Sequence, residues 1–275
     1  MVSRTSQREA LAEAVGTYCL VFVGAGVICA DAYAAGGVGL VGIALAHGLA
    51  LAAIVAVFGP VSGAHVNPAV TFAALLSGDM HAARAGMYVA SQLLGACVAG
   101  LTLLIVFSPD VWAPVALGGS QLGIGVEPGT GILLESILTF FLVLTVLHIR
   151  AGSTATAPAA GVAAGFALAA GVLFAAAITG GALNPARAFG PAFAAGIWES
   201  HYVYWIGPLA GAAAAGAVAR FTSVAPVDRV GQAFARELEE REDAIDEAVR
   251  KMDTRAGLRV VEKSATSTDD EDDSP

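Results

Sequence analysis

Two stretches of the chain share one pattern of polar residues: Ser62-Gly63-Ala64-His65-Val66-Asn67-Pro68-Ala69-Val70-Thr71-Phe72 and Thr179-Gly180-Gly181-Ala182-Leu183-Asn184-Pro185-Ala186-Arg187-Ala188-Phe189. In each, Asn followed by Pro is a helix-start signature. The Asn oxygen can accept a free N–H of the first turn, and Pro at the first helical position has no N–H to leave unpaired. With the oxygens of Asn67 and Asn184 so used, their amide NH2 groups remain to donate to a passing molecule. Arg187 follows the second motif and adds a guanidinium that is always charged. Donors and fixed positive charge suit recognition of a small polar molecule by its oxygen. Covalent chemistry needs a nucleophile beside a base, and no Ser-His-Asp or Cys-His spacing stands out, so no enzyme is expected. Cys19, Cys29 and Cys97 form no CxxC pair. His65, His81, His148 and His201 have no partner at metal-ligand spacing and read as core or interface residues, so neither a metal nor a cofactor is expected.

Two acids accompany the motifs. Glu13 and Glu135 head similar runs, Glu-Ala-Val-Gly-Thr-Tyr-Cys-Leu-Val-Phe and Glu-Ser-Ile-Leu-Thr-Phe-Phe-Leu-Val-Leu, and precede Asn67 and Asn184 by 54 and 49 residues. Both sit inside apolar windows, where charged groups are rare and usually paired or functional. As buried carboxylates they are expected to accept backbone N–H groups from the loops ahead of each Asn and hold the shape of those loops. A proton relay is the alternative.

The surrounding chain must place these residues inside a membrane. Of 275 residues, 56% are hydrophobic and 13% charged, with mean hydropathy +0.72, against roughly 25% charged in ordinary soluble domains. About 20 apolar residues cross a bilayer core of roughly 30 Å. Six windows qualify: Ala10–Ala30, Gly36–Gly59, Ala85–Phe107, Gly131–Ile149, Ala157–Ile178 and Tyr202–Ala219. The first reads as a retained signal anchor. Soluble metabolic enzymology and nucleic-acid binding are set aside. Arg4, Arg8, Arg84, Arg150 and Arg220 fall on one side if the spans alternate, which puts both termini in the cytoplasm. Arg187 breaks that pattern.

Each half holds three spans, so the second half is upside down relative to the first. The two Asn-Pro-Ala segments then enter from opposite faces. Half-helices of about ten residues are roughly 15 Å long, and two meeting tip to tip supply one bilayer thickness as a seventh, broken span. Non-helical backbone at that depth survives only when buried in protein or lining a water-filled cavity. A pore is implied.

The doubled Asn67-Pro68-Ala69 and Asn184-Pro185-Ala186, with Arg187 after the second copy, resemble the aquaporin, or major intrinsic protein, family over residues 8–222. The resemblance implies an all-α membrane fold of six transmembrane helices plus two re-entrant half-helices in inverted three-helix repeats. It also implies a passive channel through the lipid bilayer for water and small neutral solutes, assembled as a homotetramer in the plasma membrane. By family spacing the selectivity constriction falls at His47, Val172, Gly181 and Arg187. Small Val172 and Gly181 make this ring resemble the plant vacuolar-membrane class, which passes water and often ammonia or urea. Glycerol channels typically carry Asp after the Arg and aromatic bulk at the constriction, where this chain has Ala188 and Gly181; a glycerol facilitator remains an alternative. An inverted-repeat secondary transporter is the more distant one.

The sequence divides into a cytoplasmic N-terminus (1–9), a channel domain (10–222, repeats about 10–107 and 131–219), an amphipathic helical tail (223–263) and a disordered acidic end (264–275). The net charge of −9 is mostly a property of the tail: residues 1–222 carry 6 Arg against 8 acids, and residues 223–275 carry 8 basic and 15 acidic residues. Val230, Phe234, Leu238, Ile245, Val249 and Met252 form one helical stripe, while Ser264–Pro275 has the composition of disordered chain.

Overall fold

A computed structural model describes residues 4–151 and 157–222, together with Arg241 and Ile245. Among the described residues all regular structure is helical. The tail helix expected at 223–263 and the disordered end expected at 264–275 lie outside the described residues, apart from Arg241 and Ile245. The chain divides into two units, Met1–Ala225 and Pro226–Pro275; the first carries the fold considered below.

Six long helices make up the bundle: α1 (Arg4–Tyr33), α2 (Gly39–Ser62), α4 (Ala82–Val106), α6 (Pro128–Ala151), α7 (Ala157–Ala175) and α9 (Val203–Thr222). Two short ones, α3 (Pro68–Leu76) and α8 (Pro185–Ala195), start at the Asn-Pro motifs. A short helix α5 (Pro109–Trp112) and a 3-10 turn (Ala113–Gly118) lie between α4 and α6. By length and composition α1, α2, α4, α6 and α7 can each cross a membrane. In α9 the apolar run is diluted by Gly207, Pro208, Gly211 and Arg220, but its 20 residues pack closely along α6.

The repeat is visible in the packing. The neighbours α1·α4 correspond to α6·α9, and α1·α2 to α6·α7. Half-helix α3 packs on α9 of the other repeat, while α8 packs on α4 of the other repeat. The repeats are therefore interlocked: neither can close its core without a half-helix from its counterpart. Two-sided burial follows, with Ala69 and Ala73 of α3 against Ala212 and Ala215, and Ala186 of α8 against Ala96 and Ala99.

Apolar burial distinguishes poorly between a helix neighbour and lipid, so close approach of small residues must hold such a bundle. Gly48 and Gly165 face one another across α2 and α7: a Cβ at Gly48 would lie 2.6 Å from the Gly165 carbonyl oxygen, and one at Gly165 would strike that of Gly48. Gly95 against the Ala14 carbonyl and Gly211 against the Ser136 carbonyl are equivalent contacts in the two repeats. The large side chains that point outward include Leu49, Phe166, Ile105 and Phe221.

Gly165→Leu should force α2 and α7 apart, whereas Gly86→Ala, at a position with nothing within 4 Å of the added carbon, should not. Thermal unfolding followed by tryptophan fluorescence in detergent is expected to show a loss of about 1–3 kcal/mol for the first and a small gain, roughly 0.5–1 kcal/mol, for the second.

Candidate functional site

The two half-helices begin as their sequence dictates. Asn67 and Asn184 are extended N-caps, and their Oδ1 atoms accept from Ala69 N at 2.8 Å and from Ala186 N at 2.9 Å, with Arg187 N at 3.3 Å a further donor to Asn184. At 9 and 11 residues the half-helices are about 14 and 17 Å long, and they touch. Together they nearly match one hydrocarbon thickness. Pro68, Ala69, Pro185 and Ala186 are all buried, the alanines with no exposure, so the motif's small third residue lets the tips approach.

The tips are joined crosswise. Asn67 Nδ2 donates to the Leu183 carbonyl at 2.9 Å, and Asn184 Nδ2 donates to the Val66 carbonyl at 2.8 Å. Sequence reasoning left each amide NH2 wholly to the lumen; the structure commits one of its two N–H bonds to the opposite loop, and the other remains. The carbonyls reach across because Val66 and Leu183 adopt φ of 43° and 51°, a region that a β-branched residue such as valine seldom enters. Backbone in that region costs about 1–3 kcal/mol and persists only where its surroundings over-determine it.

Those surroundings are the two buried acids. Glu13 Oε1 accepts from Ser62 Oγ at 2.7 Å and His65 N at 2.9 Å, while Oε2 accepts from Val66 N at 2.7 Å and Gln92 Nε2 at 2.8 Å. Glu135 Oε1 accepts from Thr179 Oγ1 at 2.7 Å and Ala182 N at 3.0 Å, and Oε2 from Leu183 N at 2.8 Å. In these bonds the repeats differ at one place. Three residues before Gly95 stands Gln92, a fourth donor to Glu13; three residues before the equivalent Gly211 stands Pro208, which has none to offer.

Arg187 is 2% exposed. Its Nη1 donates to the Gly118 carbonyl at 2.8 Å, and its Nη2 and Nε lie 3.2 and 3.4 Å from His47 Nε2. Arginine can only donate, so His47 Nε2 is an acceptor and the ring proton is on Nδ1, which donates to the Ile43 carbonyl at 2.9 Å. Both ring nitrogens are thus engaged. The Gly118 carbonyl is brought in by consecutive left-handed residues Ala116, Leu117 and Gly118. Val172 and Gly181 are neighbours: a Cβ on Gly181, whose φ is +55°, would lie 3.1 Å from the Val172 Cα.

A cavity of about 50 Å³ runs along the tips, lined among others by His65, Asn67, Asn184, His47 and Arg187, with Leu20, Leu51 and Leu168 as apolar wall. It brings both Asn residues, His47 and Arg187 together. Val172 and Gly181 do not line it, and Val172 packs with Leu168 and Leu183. His65, read from sequence as a core or interface residue, is buried against Tyr88 with Nδ1 3.0 Å from Thr71 Oγ1, and it also borders the cavity. His201 lies before α9, edge-on to Trp198 at 4.9 Å, and burial holds its pKa below the ordinary histidine value. Among the described residues no group of acids, histidines and cysteines could hold a metal.

Sequence reasoning missed Ser62, Thr179, Gln92 and the carbonyls of Val66, Leu183 and Gly118. A hydroxyl at the head of both aligned stretches, Ser62 and Thr179, was a usable signal. Backbone carbonyls carry none, since any residue supplies one.

Two inverted half-helices meeting beside a mostly apolar cavity edged by a few polar side chains, inside a bundle of membrane-spanning helices, define a membrane channel. The sequence model of the major intrinsic protein family matches residues 1–219, and the chain belongs to that family. It is 42% identical over 223 residues to Aquaporin TIP1-2 of Zea mays, covering 77% of this chain and 84% of that relative. With Aquaporin-4 of Rattus norvegicus it shares 35% identity over 203 residues, 72% of this chain and 62% of the other. The fold is similar to the X-ray structure of the aquaglyceroporin from Plasmodium falciparum, with a TM-score of 0.69 at 22% identity, covering 78% of this chain and 95% of that one. The protein is a multi-pass membrane channel for water or small solutes and not an enzyme.

Glu13→Gln keeps the side chain's size but turns one acceptor into a donor facing donors. Each buried bond so lost costs about 1–3 kcal/mol. Stability in detergent is expected to fall by at least that amount, read as a lower unfolding midpoint, and water flux in vesicles should fall severalfold without any proton-coupled uptake appearing.

Proposed function

We propose that the chain conducts water first, with ammonia, urea and other small neutral solutes as further passengers, and excludes protons and ions. The observation that carries this reading is the crossed pair of asparagine amides, each capping its own half-helix and bonding the opposite loop. The remaining N–H of Asn67 and of Asn184 can hold a passing water by its oxygen. A water whose oxygen accepts from both asparagines donates its two hydrogens to its neighbours in the file and has no lone pair left to accept from either, which interrupts proton relay.

Ions meet fixed positive charge. Each half-helix start carries roughly +0.5 charge, and two facing tips act on a cation about as one unit charge. At ~4 Å and an effective dielectric near 20 this repels by ~4 kcal/mol, an upper figure with water in the path. That corresponds to suppression by about a thousandfold. Arg187 adds a full charge at the outer mouth. In aquaporin-type channels selectivity is known to rest on pore diameter, lining donors and electrostatic barriers; here we assign the constriction to His47, Val172, Gly181 and Arg187. Of these, His47 and Arg187 line the cavity while Val172 and Gly181 pack beside it. Small Val172 and Gly181 favour a ring wider than in strict water channels.

Glu13 and Glu135 serve in this reading as anchors of the re-entrant loops. The arginine distribution supports both termini in the cytoplasm; the homotetramer is carried over from the family, the protein is placed at the cell membrane, and residues 10–222 are read as the channel domain.

The test is stopped-flow light scattering on reconstituted vesicles, with sucrose shrinkage compared with ammonium, urea and glycerol gradients and with a pH-sensitive dye inside. Water flux well above that of bare vesicles, non-saturable and without proton entry, is expected; vesicles that respond no faster than bare ones, or that admit protons, would overturn the proposal. Val172→His should close the ring to ammonia, by about tenfold or more, while water flux stays within about twofold. A histidine spanning the ring costs an ammonia file roughly 1.4 kcal/mol for each tenfold.

A further inference from the structure

We propose that Gly24 of α1 sets the aperture at the constriction by giving the His47 ring a seat outside the lumen, an inference that rests on the channel reading above. The reason is space. A Cβ at Gly24 would lie 2.6 Å from His47 Nε2, 2.7 Å from Cδ2 and 3.3 Å from Cε1. Real Cβ contacts do not come that close, so with any side chain at position 24 the ring must move.

Its freedom to move is limited on every side but one. Nδ1 is tied to the Ile43 carbonyl one turn back along α2, and Nε2 receives the Arg187 guanidinium. The ring is 1% exposed, and the open space beside it is the cavity that it lines together with Arg187, Asn67 and Asn184. Displacement from α1 therefore carries the imidazole into the path of the solute and takes an acceptor from Arg187.

The next residue of α1 points to the same role for this segment. A Cβ on Gly118 would strike the backbone of Ala25, so Gly118, whose carbonyl accepts from Arg187, is packed against Ala25. Gly24 and Ala25 thus back both residues that hold the arginine, His47 and Gly118. Position 24 lies outside the four constriction residues, and it acts through His47 as a positioning residue.

A double-mutant cycle tests this. Wild type, Gly24→Ala, His47→Ala and the double variant are reconstituted, and unit water permeability is measured by sucrose shrinkage. The melting midpoint of each is read separately in detergent. Gly24→Ala alone is expected to lower water permeability about fivefold or more, and to do so by less than twofold when His47 is already alanine, a coupling of the size seen for residues in contact. Equal effects of Gly24→Ala in both backgrounds, or no effect beside His47, would overturn the proposal. If Gly24→Ala does not assemble, recovery in the double variant supports the seat and failure to recover refutes it. A wild type that passes no water would count against the channel reading alone, because the same cycle in melting midpoints still reports whether the added methyl collides with the ring.

Discussion

The structure depends on one constraint: two segments of non-helical backbone lie in the middle of a membrane, where no water is free to satisfy them. Their N–H groups go to carboxylates, with His65 N and Val66 N on Glu13 and Ala182 N and Leu183 N on Glu135. Their carbonyls go across the interface, Val66 to Asn184 and Leu183 to Asn67. A single residue in each loop therefore connects a buried acid of its own repeat to the asparagine of the other. The left-handed φ at Val66 and Leu183 is the geometric cost of pointing the N–H one way and the carbonyl the other.

This chain of bonds explains why acids sit inside apolar helices. A carboxylate can accept from several donors at once, and no neutral side chain of similar size offers as many lone pairs. The same helices bring small residues together, so that half-helix α3 nests against α9 and α8 against α4. Packing and polar satisfaction are coupled: moving a half-helix outward by a methyl group would break the bonds at its tip.

Where Arg187 borders the cavity the logic is electrostatic. Arg187 brings donors and charge to a buried position, and its guanidinium is held by a neutral tautomer of His47 and by a backbone carbonyl. Among the described residues no carboxylate forms an ion pair with it. Its positive charge is therefore left to act on whatever enters, where an ion pair would have cancelled it.

Much of this was legible in the residues themselves. The Asn-Pro pairs dictated helix starts, the apolar windows dictated membrane helices, and the odd number of spans per repeat dictated inversion, each by local chemistry or counting. Position in space was not so legible. The seat of the His47 ring against Gly24, the carbonyl of Gly118 and the crossed amides all join residues far apart in the chain through groups that every residue carries or, for glycine, lacks. Backbone carbonyls and empty space leave no mark in a sequence, so only the packing of the helices decided which of them would meet at the pore.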